Sequence, residues 1–142
     1  MLKVVIDTNQ FVSSFLNKHG PSDQLLDAWK KHHFILVISD EILEEIKKVF
    51  LYPRIFQKYN LNEEDLKNLL NLLEHEAVVI TPQERVDVIK NDPDDNKFLA
   101  CAFAGDAQYI ISGDKDLREL GKFKNTLIVS VKEFLGILKN DK

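Results

Sequence analysis

The sequence predicts an α/β fold in which a mostly parallel, roughly five-stranded sheet lies between layers of helices. Three observations carry this. Short, continuously apolar, β-branched runs recur along the chain, the pattern of strands covered on both faces. Helical patterns with polar starts separate these runs, and such alternation favours parallel strands joined by crossover helices. The 142 residues suffice for one domain with a real core, and no repeat, linker or low-complexity tract divides residues 1–142.

The strands are expected at residues 2–6, 34–38 ("FILVI"), 77–80 ("AVVI"), 109–112 ("YIIS") and 127–129. Asp7 or Asn9 is placed to cap a first helix starting near Gln10. A second helix, "SDQLLDAWKKH", follows Pro21, and a third, "DEILEEIKKVF", stops before Pro53. "NEEDLKNLLNLLEHE" has Asn62 as N-cap and acids in its first turn. "DPDDNKFLACAFA" runs from Asp92 as cap to Gly105, with Phe98, Leu99, Ala102 and Phe103 as its apolar stripe. The last helix, "SVKEFLGILK", opens on a capping box formed by Ser130 and Glu133.

Composition narrows the function classes. With 44% hydrophobic and 30% charged residues the chain resembles an ordinary soluble globular protein. A net charge of −4 argues against binding nucleic acid by broad phosphate neutralisation, leaving a local site as the route to such a partner. The single cysteine, Cys101, suits a reducing cytoplasm and reads as a small buried hydrophobe. No signal peptide or membrane-spanning run is expected, so the predicted location is cytoplasmic. The four histidines, at helix ends or in a loop, have no zinc-like spacing.

In a parallel sheet, ligands bind at the carboxyl ends of the strands. Asp7 ends the first strand, Ser39, Asp40 and Glu41 follow the second, and Ser112 to Asp116 follow the fourth. One edge so rich in carboxylates repels itself unless a cation joins it, and oxygen ligands suit Mg²⁺ or Mn²⁺. Two helices add acids. On the third helix Ile42, Leu43, Ile46, Val49 and Phe50 form the apolar stripe; Glu41 and Glu44 point away, and Glu45 lies at its edge, half buried. Glu45 is therefore the candidate from this helix, with an ion pair to a lysine as the alternative. Capping accounts for Asp92 and Asp94, but Asp95 falls over the apolar stripe and needs a counter-charge.

Together, "VVIDTN", the acid-bearing third helix, "DPDDNKFLACAFAGDAQYIISGDKDL" and the terminal strand and helix resemble a PIN domain along essentially the whole chain. The resemblance is closest to stand-alone prokaryotic PIN proteins described as toxins of toxin–antitoxin pairs. It implies a three-layer α/β/α ribonuclease fold with an acidic centre on Asp7, Glu45, Asp95 and Asp114, and Asp116 as a further metal ligand. Thr8 and Asn9 match small polar residues beside the first acid, and Ser112 a position near the scissile phosphate. Asp92 matches a recurrent acid of this subgroup, read first as a cap and then as support for the ligands. Glu44 remains a rival to Glu45, because the assignment depends on where the helix starts.

By this resemblance the protein is an endoribonuclease dependent on Mg²⁺ or Mn²⁺, with RNA as substrate, an antitoxin as partner and a homodimer as its assembly. Lys97, Lys115 and Arg118 are placed to meet flanking phosphates or else to lie solvated on the surface. The region "LLNLLEHEAVVI" and the Trp29 helix are interface candidates, with core packing the simpler account of both. Two other readings remain. A phosphatase of the haloacid-dehalogenase type would use Asp7 as nucleophile, but needs an acid where Asn9 stands. A catalytically inactive PIN-like RNA-binding module would not need the full set of acids.

Overall fold

A computed structural model describes residues 1–51, 57 and 60–140. The chain begins with β1 (Lys3–Ile6), α1 (Thr8–Leu16) and α2 (Pro21–Lys30), followed by β2 (Ile35–Ser39), α3 (Asp40–Leu51), α4 (Glu63–Glu76) and β3 (Val78–Ile80). After the 12-residue connection 81–92 comes a 3₁₀ turn (Pro93–Asp95) leading directly into α5 (Asn96–Ala104). The remainder is β4 (Tyr109–Ile111), α6 (Lys115–Leu120), β5 (Lys122–Phe123), β6 (Thr126–Val129) and α7 (Val131–Asn140). Pro53, expected to stop α3, lies outside the described residues.

The sheet has six strands in the order β3-β2-β1-β4-β6-β5, all parallel except the β5/β6 pair. It is therefore the expected α/β/α architecture with one strand more. Val4, Val5 and Ile6 of the central strand are inaccessible to solvent or nearly so. α5 packs across β1, β2 and β4. That approach is close at Gly105, where a Cβ would sit 2.5 Å from Val37 Cγ1. α7 packs against α2, and Phe134 makes edge-on contacts with Phe34 and Tyr109. No described helix is long and apolar enough to cross a membrane.

Local chemistry explains the element starts. Asp7 caps α1, accepting from the Gln10 N–H at 3.3 Å, so the helix begins at Thr8. Asn62 Oδ1 accepts from the Glu64 and Asp65 N–H groups, as expected. Ser130 and Glu133 form the reciprocal capping box at 3.0 and 3.1 Å.

Several expectations need correction. β3 is an edge strand with Val78 and Val79 substantially exposed, and Leu127 of β6 is also exposed. β3 is paired on one side and β6 on both, so in neither position does an apolar run imply cover on both faces. Trp29 is buried, so its helix presents no such surface, while Leu66, Leu69 and Leu73 of α4 belong to the core. Phe103 leaves the α5 stripe for the surface, where the Lys124 ammonium lies 4.5 Å from its ring centre. α6 and β5 were not anticipated. They are six and two residues long, below the length at which periodicity is visible, and Gly121 joins them at φ +70°.

Candidate metal centre at the carboxyl edge of the sheet

Parallel pairing aligns the strand ends. β2 lies on one side of β1 and β4 on the other, so the chain changes direction across the sheet beside β1, the usual place for a ligand crevice. Ile6 pairs with Ile111, and the Asp7 N–H donates to the Ile111 carbonyl at 3.1 Å. Asp7 and the segment from Ser112 are thereby side by side.

Ser112 joins these two strand ends. Its buried hydroxyl donates to Asp7 Oδ2 and accepts from the Asp114 N–H at 2.9 Å. Asp114 in turn caps α6, its Oδ2 accepting from the Asp116 and Leu117 N–H groups at 3.0 and 3.1 Å. Asp7 is buried, and burial raises its pKa against the opposing bonds from Ser112, Gln10 and Asn9; the nearby charge of Asp114 raises it further.

Asp95 arrives from the opposite layer. The 3₁₀ turn delivers it at the head of α5, where its carboxyl is buried and Oδ2 has no hydrogen-bond partner. Burial, then contact with the Asp114 carboxyl, then the charges of Asp114, Asp92 and Asp7 push its pKa up to about 8. Asp92, Asp95 and Asp116 each present a carboxylate oxygen within 4.8 Å of the other two. A hard cation with oxygen ligands at roughly 2.0–2.6 Å holds pairs of ligands no more than about 5 Å apart. The donors are all oxygen, one is orphaned and several repel one another, so the residues fit a divalent cation of the Mg²⁺ or Mn²⁺ kind.

Asp92 stands at the cap position of the 3₁₀ turn, but its side chain caps nothing; it faces Asp95 and Asp116 instead. The expected priority of cap over cluster is thus reversed. A turn of three residues leaves few free N–H groups for a cap to serve. Thr8 is buried with its hydroxyl unpartnered, whereas Asn9 is exposed.

Glu45 has a different environment. It is half buried, as its place on the stripe predicts, and the Lys97 ammonium is in ion-pair contact with it. Glu44 is 64% exposed and pairs with Lys47, so the half-buried acid of this helix is Glu45. Lys97 is itself buried and also meets Asp94 Oδ2 at 2.7 Å. It is not a solvated surface charge but is taken up by two carboxylates. Burial lowers its pKa, opposed by Glu41. The i,i+3 spacing of Asp94 and Lys97 was the available signal for this pair. Arg118 pairs with Glu133 at 3.0 Å, and Lys115 is 85% exposed.

Cys101 is buried and its thiol is pushed up to about 12, so it is an inert hydrophobe as expected. Asp40 follows β2 and accepts from the Thr81 hydroxyl, tying the ends of β2 and β3 together.

A model of the PIN domain matches residues 3–116, a span that includes Asp7, Glu45, Asp92, Asp95, Asp114 and Asp116. An uncharacterized protein of Methanocaldococcus jannaschii is 38% identical over 119 residues, covering 84% of this chain and 75% of that protein. The chain belongs to the PIN domain family, whose members are generally metal-dependent nucleases.

Proposed function

We propose that this PIN-family chain is an endoribonuclease that hydrolyses RNA phosphodiester bonds with Mg²⁺ or Mn²⁺ as cofactor. One observation carries the reading: a buried Asp95 oxygen without a partner, within 4.8 Å of carboxylate oxygens of Asp92 and Asp116, so that one cation could be held by all three. The proposed ligands are Asp7, Asp95, Asp114 and Asp116, together with Glu45, which would exchange its contact with Lys97 for the cation, and with Asp92, Thr8, Asn9 and Ser112 in support. When bound, the cation lowers the pKa of a ligated water and offsets charge on the phosphate.

The protein's own contribution is placement. The Ser112 hydroxyl and the Gln10 N–H hold the two oxygens of Asp7 in one orientation. The α6 N-terminus fixes one oxygen of Asp114 and leaves the other outside the cap. A phosphodiester monoanion is repelled by this centre as it stands, so RNA enters only once the acids are neutralised. Cleavage by water leaves a 5′ phosphate and a 3′ hydroxyl.

The phosphatase reading has less support, because Asn9 is exposed and is not an acid. An inactive RNA-binding module would have no use for a cluster that costs stability. The resemblance adds a single nuclease domain over residues 1–142, a cytoplasmic toxin role, an antitoxin partner and a second copy of this chain as partner.

The test is cleavage of end-labelled RNA with Mn²⁺, with Mg²⁺ and with chelator, comparing wild type and Asp95→Asn. Metal-dependent cleavage that falls at least about 100-fold in the variant is expected. Equal cleavage by both proteins, or cleavage indifferent to chelator, refutes the proposal.

A further inference from the structure

We infer that Asn96 is a positioning residue for the acidic centre: one buried amide ties down both ends of the segment that carries Asp92, and its residue starts the helix directly after Asp95. The inference rests on the cation-site reading above.

Connection 81–92 has no helix or strand of its own, and backbone without a ladder needs other partners when it runs inward. Asn96 supplies them. Its Oδ1 accepts from the Val88 N–H at 3.0 Å and the Ile89 N–H at 2.8 Å. Its Nδ2 donates to the Ile89 carbonyl at 2.9 Å and the Pro93 carbonyl at 3.0 Å. All four bonds are within normal length, and the side chain is buried at 6% exposure. Toward Ile89 the amide both donates and accepts, as a neighbouring strand would.

The consequence for the site is geometric. Ile89 is buried and held at one end, Pro93 is held at the other, and only three residues lie between. Asp92 is the last of these three, and its carbonyl accepts from the Asp95 N–H at 3.0 Å. Asp95 adjoins Asn96 directly in the chain. Two carboxylates of the cluster therefore take their positions from one side chain that is itself no ligand. Such outer partners commonly set metal affinity.

Three measurements on the full chain test this: Mn²⁺ affinity by calorimetry, melting temperature, and amide hydrogen exchange at Val88 and Ile89. The proteins are wild type, Asn96→Ala, Asn96→Asp and Leu73→Ala, the last a core truncation remote in sequence from the acids. Asn96→Ala is expected to weaken Mn²⁺ binding by about 10-fold or more and to lose protection at both amides. Asn96→Asp keeps the acceptor for the Val88 and Ile89 N–H groups but loses both donor bonds, including the one that holds Pro93, so it is expected to retain part of the protection and still to weaken Mn²⁺ binding by about 10-fold. Leu73→Ala melts earlier with its Mn²⁺ affinity unchanged. Should Asn96→Ala not fold, Asn96→Ser, which lacks the reach for both strands of the clamp, decides in the same way. Wild type that binds no Mn²⁺ overturns the cation-site reading and this inference together. Wild type that binds while Asn96→Ala or Asn96→Ser binds equally overturns the role of Asn96 alone.

Discussion

Two groups of carboxylates meet at the head of α5, and they are stabilised in opposite ways. Glu45 and Asp94 share the buried ammonium of Lys97. Asp92, Asp95 and Asp116 crowd together with no lysine or arginine paired to them among the described residues. Asp94 and Asp95 are neighbours in the chain, yet one accepts from Lys97 while the other buries an unpartnered oxygen. The fold can place an internal counter-charge beside this helix and does so for one group. For the other no lysine or arginine is paired among the described residues, an arrangement that costs stability and suits the receipt of a cation.

The largest expected effect lies on the compensated side. Lys97→Met removes the only cation shared by Glu45 and Asp94 among the described ion pairs. It should destabilise the protein by about 3 kcal/mol, read from urea unfolding, because it leaves Glu45 half buried and unpaired. An unchanged midpoint would mean that the triad is no more than a surface ion pair.

A smaller effect of opposite sign is expected at Asp95. Its pKa, pushed up to about 8, lies above the ordinary carboxyl value of 3.8, so between the two the native state binds an extra proton. The contribution of Asp95 to stability without metal should therefore be largest below about pH 4, fall as the pH rises, and level off above about pH 8, seen as the difference between wild type and Asp95→Asn at each pH. Asp95→Asn should remove most of that slope and melt later than wild type at pH 8. A difference that is flat over this range would show that Asp95 does not carry the strain assigned to it. Ser112→Ala should have the smallest effect, about 1 kcal/mol or less in unfolding, since Asp7 keeps its bond from Gln10. Its activity should fall more than its stability does, because one hydroxyl orients both Asp7 and Asp114.

This contrast was only partly visible in the sequence. The periodicity of α3 distinguishes Glu45 from the exposed Glu44, and the stripe of α5 turns Asp95 inward; both follow from a rotation of about 100° per residue. The strand tips collect Asp7 and Asp114 because a parallel sheet has one carboxyl edge. An ion pair of Glu45 with a lysine was the alternative the sequence left open, and it is what the structure contains; that the lysine is Lys97 was not visible, because the pair joins residues 52 positions apart across two helices. Asn96 gave no local signal either, since its bonds close a loop with no period of its own. Asp92 was misjudged for a related reason: a capping sequence describes which bonds are available, and the 3₁₀ turn uses a different set. The short α6 and β5 depend on Asp114 as cap and Gly121 as turn, and Asp114 had already been read for another purpose.

The central claim is that the acidic group is strained until a divalent cation joins it. The most direct measurement is the melting temperature of wild type and Asp95→Asn at pH 8, each with chelator and with excess Mn²⁺. The account predicts that Asp95→Asn melts above wild type in chelator, and that Mn²⁺ raises wild type by several degrees while moving the variant little. Equal shifts in both proteins, or no shift in wild type, would contradict it.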